Sequence, residues 1–348
     1  MTERKSGFRR VVCSIAQKFH SHEHPGEEKA GWNKNVAGPI LVDSTSLRGK
    51  VALITGSSKS IGASIAKTLA AQGAFVVINY AKDGRSAEEV AQQINMAAIS
   101  STSDLASGSL PLKSMDHHGN GDNDVETPRQ QPEQQQAIVI KADSSTISGG
   151  QYLLQETLRL FGRLDILVLS AGLMGSKALS EIDESFFDAH FNFNVKAPLF
   201  LVKAAADVMT RPGGRIIFLS TSLTAASSRS TLSVTNTSSK RSCSVPALLP
   251  NALCYVASKG AVEQITRALA KDLGTQGFTV NTIAPGPVNT ALFRAGTPQH
   301  VIDSIAAQIP NHRIAEPDDI APIVAFLASP AAQWVNGQIL GVNGGYVV

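Results

Sequence analysis

From Lys50 onward, short runs of apolar residues alternate with longer stretches in which apolar residues recur every three or four positions. The short runs are Val51 to Thr55, Phe75 to Asn79, Ala137 to Lys141, Ile166 to Ser170, Arg215 to Ser220, Phe278 to Ile283 and Gln338 to Val342. Their length and near-continuous apolar character suit strands buried on both faces. The longer stretches, Ile61 to Gln72, Gly149 to Phe161, Phe187 to Met209 and Tyr255 to Gly274, each carry the apolar stripe of a helix packed on a sheet. Such alternation predicts an α/β fold: a seven-stranded parallel sheet, doubly wound, with helices on both faces.

Three stretches break the pattern. Residues 1–46 lack sustained periodicity and are rich in His, Lys, Glu and Gly, which reads as an extension outside the fold. Residues from about 97 to 136, ending in a Gln-rich run, and from about 227 to 248, rich in Ser and Thr, read as surface insertions. The rest, within residues 47–348, amounts to one domain of ordinary size.

Composition narrows the class. With 43% hydrophobic and 17% charged residues, the 348-residue chain fits a globular enzyme. A net charge of +3 with scattered basic residues offers no footprint for nucleic acid or an anionic membrane. No apolar run approaches the roughly 18 residues of a membrane span. Cys13, Cys243 and Cys254 are odd in number and lack metal-type spacing, so neither a disulfide framework nor a metal site is expected, and a reducing, cytoplasmic location is. Arg9, Arg10, Val11, Val12, Ile15 and Phe19 would suit a basic amphipathic targeting helix, but Glu3, Glu23, Glu27 and Glu28 weigh against it.

The first strand runs into Thr55-Gly56-Ser57-Ser58-Lys59-Ser60-Ile61-Gly62 and then the first helix. Glycines there give room for a pyrophosphate to approach backbone N–H groups at a helix N-terminus, where the dipole favours anions. Farther on, Tyr255 and Lys259 lie four apart, on one face of a helix. Carbonyl reduction needs an acid at the oxygen, and a neighbouring ammonium is expected to lower the pKa of a phenol toward usefulness.

These features together resemble the short-chain dehydrogenase/reductase family, which implies a Rossmann-type sheet. The turn is similar to the family's Thr-Gly-x-x-x-Gly-x-Gly, with Ser60 in place of the middle glycine, where a side chain would either crowd the pyrophosphate or donate a hydrogen bond to it. An NAD-selective site places Asp or Glu at the end of the second strand. Here Tyr80 stands there, followed by Lys82 and Arg85, with Lys59 in the turn, so NADP(H) is the expected cofactor. By resemblance, Asp143 and Ser144 contact the adenine side, Ala171 and Gly172 flank the cofactor, and Val288 and Thr290 grip the carboxamide. Tyr255 is the implied acid/base and Lys259 its assistant. The partner hydroxyl matches Thr221 first and Ser222 second, and Asn194 matches the residue that interrupts a helix and holds a water near the lysine. The Gly341-Val342-Asn343-Gly344-Gly345 stretch resembles one near a subunit contact, implying a dimer or tetramer. The expected activity is hydride transfer between nicotinamide and a small or medium apolar ketone, aldehyde or alcohol. The rival is an NADP(H)-binding regulatory or inactive member without turnover.

Overall fold

A computed structural model of the chain describes residues 46–106, 135–226, 251–295 and 297–348. Nearly all of the expected N-terminal extension and most of both insertions lie outside them. Seven strands form one sheet: β1 (Val51–Ile54), β2 (Phe75–Tyr80), β3 (Ala137–Lys141), β4 (Ile166–Leu169), β5 (Arg215–Leu219), β6 (Thr279–Pro285) and β7 (Ile339–Val342). Their order is β3-β2-β1-β4-β5-β6-β7, and every pairing is parallel. The chain winds outward from β1 to β3 and then returns to place β4 beside β1. Loops leaving β1 and β4 therefore diverge at the carboxyl edge, and that crevice is where such a sheet binds ligands.

The period of two along each strand sorts side chains onto two cores. In β1, Ala52 and Ile54 join α1 (Ser60–Ala71), α2 (Gly84–Ala106) and α10 (Pro317–Ala328), while Leu53 faces α3 (Ile147–Phe161), α5 (Ala197–Ala206) and α7 (Leu253–Gly274). Residues such as Ile54, Leu53 and Ile78 are fully buried, each worth about 1.5–3 kcal/mol. Between the strands also lie α4 (Glu184–Phe191), α6 (Leu223–Ala226), α8 (Ala291–Ala295) and α9 (Gln299–Gln308).

Two expectations change. Residues 97–106, assigned to the first insertion, continue helix α2, which the buried set Ala87, Val90, Ala91 and Ile94 at helical spacing anchors to the sheet. The single helix expected over Phe187 to Met209 is instead α4, a π-helical turn at Asn192–Lys196, and α5. The wider turn carries Asn194 into the interior, where it is buried.

At the amino edge, Asp165 is buried and accepts hydrogen bonds from the Val51 amide (2.9 Å) and from Arg163 Nε (2.9 Å) and Nη2 (2.7 Å), with Lys50 at 3.6 Å. Burial alone would raise its pKa, but the donors and cations outweigh it and the net shift is downward.

Candidate active site

The turn after β1 is shaped by close approach. A Cβ on Gly62 would lie 2.5 Å from the Gly56 carbonyl oxygen, and one on Gly56 would meet the Ala171 backbone at 3.0 Å. Gly56 also has φ +63, which favours glycine. Ser60, at the N-terminus of α1, has φ +55, so the residue standing where the family carries glycine adopts the left-handed conformation at a cost of about 1 kcal/mol. No acidic side chain occupies the first turn of α1. Ser57 and Ser58 are buried, and Ile61 is half-buried against the core. Glycines that leave no room for a Cβ, beside a helix N-terminus, fit a dinucleotide pyrophosphate.

Asn79, missed in the sequence reading, holds this turn in place. Buried near the end of β2, it accepts a hydrogen bond from the Gly56 amide at 3.1 Å through Oδ1 and donates to the Ala142 carbonyl at 3.0 Å through Nδ2, while its own amide donates to Ser57 Oγ at 3.0 Å. One side chain thus ties the turn to β2 and β3. The signal was a lone polar residue ending an apolar strand, Val76-Val77-Ile78-Asn79. Thr55 performs a similar service, its Oγ1 accepting from the Ala171 amide at 3.1 Å.

Tyr80 is half-buried with Gly84 against its ring, where a Cβ would lie 3.0 Å away. Lys59 Nζ lies 4.0 Å from Asp83, Lys82 is exposed, and Arg85 is bonded to Glu89 one helical turn on, at 3.1 Å. Asp143 is exposed beyond β3, its carboxylate accepting from the Ser145 amide (3.0 Å) and hydroxyl (2.6 Å), with Ser144 half-buried beside it.

The residues expected to transfer the proton lie near the carboxyl ends of the central strands. Lys259 is buried, donates to the Leu219 carbonyl at 2.7 Å, and lies 5.9 Å from the centre of the Tyr255 ring. Burial pulls its ammonium down to about 8. Burial also pushes the Tyr255 phenol up to about 12, against the opposing effect of a side-chain hydrogen bond with Thr221. The phenol thus lies above its ordinary value, not below it as expected, because desolvation outweighs the Thr221 hydrogen bond. Of the hydroxyls beyond β5, Thr221 reaches Tyr255, whereas Ser220 donates to Glu263 at 2.9 Å. Ser222 is buried, with its amide bonded to the Pro285 carbonyl at 2.8 Å.

Asn194 joins two walls of the site. Its Oδ1 accepts from the Leu173 amide and its Nδ2 donates to the Leu173 carbonyl, each at 2.8 Å; Nδ2 also donates to Ser258 Oγ at 2.9 Å. Ser258 in turn donates to the Tyr255 carbonyl at 2.7 Å. The Asn194 side chain thus links the loop after β4 to the helix carrying Tyr255 and Lys259. A Cβ on Gly172 would lie 3.4 Å from Lys259 Nζ and 3.7 Å from Asn194 Oδ1, so this glycine keeps the lysine reachable. Across the cleft, Val288 is buried and forms a parallel bridge with Ala315, and Thr290 Oγ1 accepts from the Phe293 amide at 3.2 Å, capping α8. Met174, Leu253 and Leu292 are exposed apolar residues on segments around the site. Among the described residues no group of metal-ligating side chains converges, and no helix is long and apolar enough to cross a membrane.

The chain matches a family described as short chain dehydrogenase over residues 50–110 and 118–243, and one described as enoyl-(acyl carrier protein) reductase over residues 229–347. A hydroxynaphthalene reductase-like protein, Arp2, of Metarhizium brunneum is 35% identical over 314 residues, covering 87% of this chain and 96% of its own. An NADPH-dependent aldehyde reductase-like chloroplastic protein of Arabidopsis thaliana is 36% identical over 304 residues, covering 86% and 95%. A short chain dehydrogenase from Burkholderia cenocepacia in complex with NADP superposes with a TM-score of 0.67 at 29% identity, covering 87% of this chain and all of that one. With the doubly wound sheet, the glycine turn and the Tyr255–Lys259 helix, these matches establish that the chain belongs to the short-chain dehydrogenase/reductase family.

Proposed function

We propose that this protein is an NADP(H)-dependent reductase of an apolar ketone or aldehyde, with Tyr255 as proton donor and Lys259 as its assistant. The observation that carries the reading is the Tyr255 phenol, hydrogen-bonded by Thr221 and one helical turn from the buried Lys259 ammonium, at the sheet edge that the glycine turn opens. The bound nicotinamide supplies the hydride. Gly56, Ser58, Ser60, Ile61 and Gly62 face the pyrophosphate. Lys59 and Tyr80 take the ribose phosphate, Asp143 and Ser144 the adenine, and Ala171, Gly172, Val288 and Thr290 the nicotinamide half. A phenol pushed up to about 12 is protonated at neutral pH, the form that can act as the acid in reduction. The Lys259 cation, itself buried, offsets negative charge developing on the phenolate as the proton leaves. Thr221 orients the carbonyl oxygen, and Asn194 keeps Leu173 and Ser258 in register around it.

Relatives named as hydroxynaphthalene reductase-like and aldehyde reductase-like proteins, together with exposed Met174, Leu253 and Leu292, support an apolar carbonyl substrate. The groove between α5 and α7, where Leu199, Phe200, Leu269 and Leu273 lie beside Lys203, Asp207 and Asp272, supports a homo-oligomer, and the scarcity of cysteines fits the cytoplasm. The domain is taken as residues 47–348. The reading is tested by following NADPH absorbance across a panel of ketones, quinones and polyketide-like carbonyls. Turnover should fall by about 10²–10⁴-fold in Tyr255→Phe while NADPH binding survives. The strained Ser60 favours a second reading, a binding protein without turnover, which predicts NADPH binding and no consumption across the same panel.

A further inference from the structure

The corner of the cofactor site beyond β2 holds a carboxylate that the proposed reaction does not use. Asp83 sits just ahead of α2 and is fixed there: Oδ1 accepts from the Ser86 amide at 3.1 Å and Oδ2 from the Ser86 hydroxyl at 2.7 Å. These bonds hold its carboxyl below the ordinary carboxylate value, so it is ionised at neutral pH. Lys59, on the glycine turn, reaches this carboxylate at 4.0 Å, and both side chains remain open to solvent, at 65% and 41% exposure. The guanidinium of Arg85 is bonded to Glu89 farther along the helix. Lys59, which the proposed function assigns to the ribose 2′-phosphate, is therefore already paired, and its partner is anchored while Lys59 has a flexible stem.

We infer that Asp83 is a specificity-determining residue, its anchored carboxylate competing with the 2′-phosphate of NADP(H) for Lys59 and so restraining the preference for NADPH over NADH. The inference rests on the cofactor reading above. A phosphate bearing about −1.5 to −2 charges arriving within a few ångströms of a fixed carboxylate is inside the screening length of about 8 Å at physiological salt. NADH carries no such group, so Asp83 is nearly silent toward it.

The test is titration of the full chain with NADPH and with NADH, read by reduced-nicotinamide fluorescence, at low and high salt. Asp83→Asn and Asp83→Ser both retain an acceptor for the Ser86 amide and remove the charge. Each should tighten NADPH binding roughly three- to tenfold at low salt, with the gain shrinking at high salt. NADH affinity should move by less than about twofold, and the NADPH gain should disappear in a Lys59→Ala background. Unchanged NADPH affinity in both variants, an equal gain for NADH, or a gain undiminished without Lys59 would overturn the inference. Failure of the unaltered chain to bind NADPH overturns the cofactor reading as well, which separates the two.

Discussion

The two edges of the sheet each bury a charged residue and treat it in opposite ways. At the amino edge, Asp165 is met by two donors from Arg163, by the Val51 amide and by Lys50, and its charged form is favoured. At the carboxyl edge, Lys259 is buried to a similar degree, yet its ammonium has the Leu219 carbonyl and no salt bridge among the described residues, and its charged form is disfavoured. The first arrangement closes strands together. The second holds a charge at a cost that folding would not select, which is how groups poised for proton chemistry are built.

The largest break of this contrast is expected at Lys259. In Lys259→Met, turnover should fall by about 10²-fold or more, while the fold gains about 2 kcal/mol at pH 7 because a disfavoured buried charge is gone and one hydrogen bond with it. Denaturant unfolding beside steady-state kinetics checks both halves, and a loss of stability would end the comparison. The sign with pH follows from a folded value of about 8 against an ordinary 10.5. Between them the unfolded chain holds a proton that the folded lysine has lost, so the penalty from this residue is full below about 8 and fades as pH rises toward 10.5. Reductive turnover should decline as pH rises through about 8, a limb absent from Lys259→Met.

Asp165→Asn should do the reverse, costing about 2 kcal/mol at pH 7 and leaving NADPH affinity alone. A carboxyl lowered by folding contributes stability that is present above its unfolded value and lost as pH falls through the folded one, so the variant and the parent should converge in acid. Equal unfolding midpoints at neutral pH would show that Arg163 and Lys50 do not favour the charge. The smallest effect is reserved for Ser60→Gly. Relief of the left-handed serine should raise stability by about 1 kcal/mol, visible as a higher melting temperature.

What the sequence made legible were the features carried by neighbours along the chain. All seven strands announce themselves as apolar runs, and Tyr255 and Lys259 share a helical face by spacing alone. Helix α2 escaped because its polar far end resembles the insertion that follows it. The remainder depends on distances through space. Asn79 gains its role from the Gly56 amide and the Ala142 carbonyl, Asp83 from Lys59, and Thr221 from Tyr255 across the second insertion. The sign of the Tyr255 shift was misread for the same reason, since burial is a property of the assembled cleft.

The bonds of Asn194 have a mechanical consequence. Through Leu173 and Ser258 they tie the loop carrying Gly172 to the helix carrying Tyr255, so this wall of the cleft cannot open without breaking the hydrogen bonds of Asn194. The opposite wall is less tied down: α8 spans five residues and buries none of them. On the function proposed above, tolerance for substrate size rests on the α8 side of the cleft, while the aim of the Tyr255 proton stays constant.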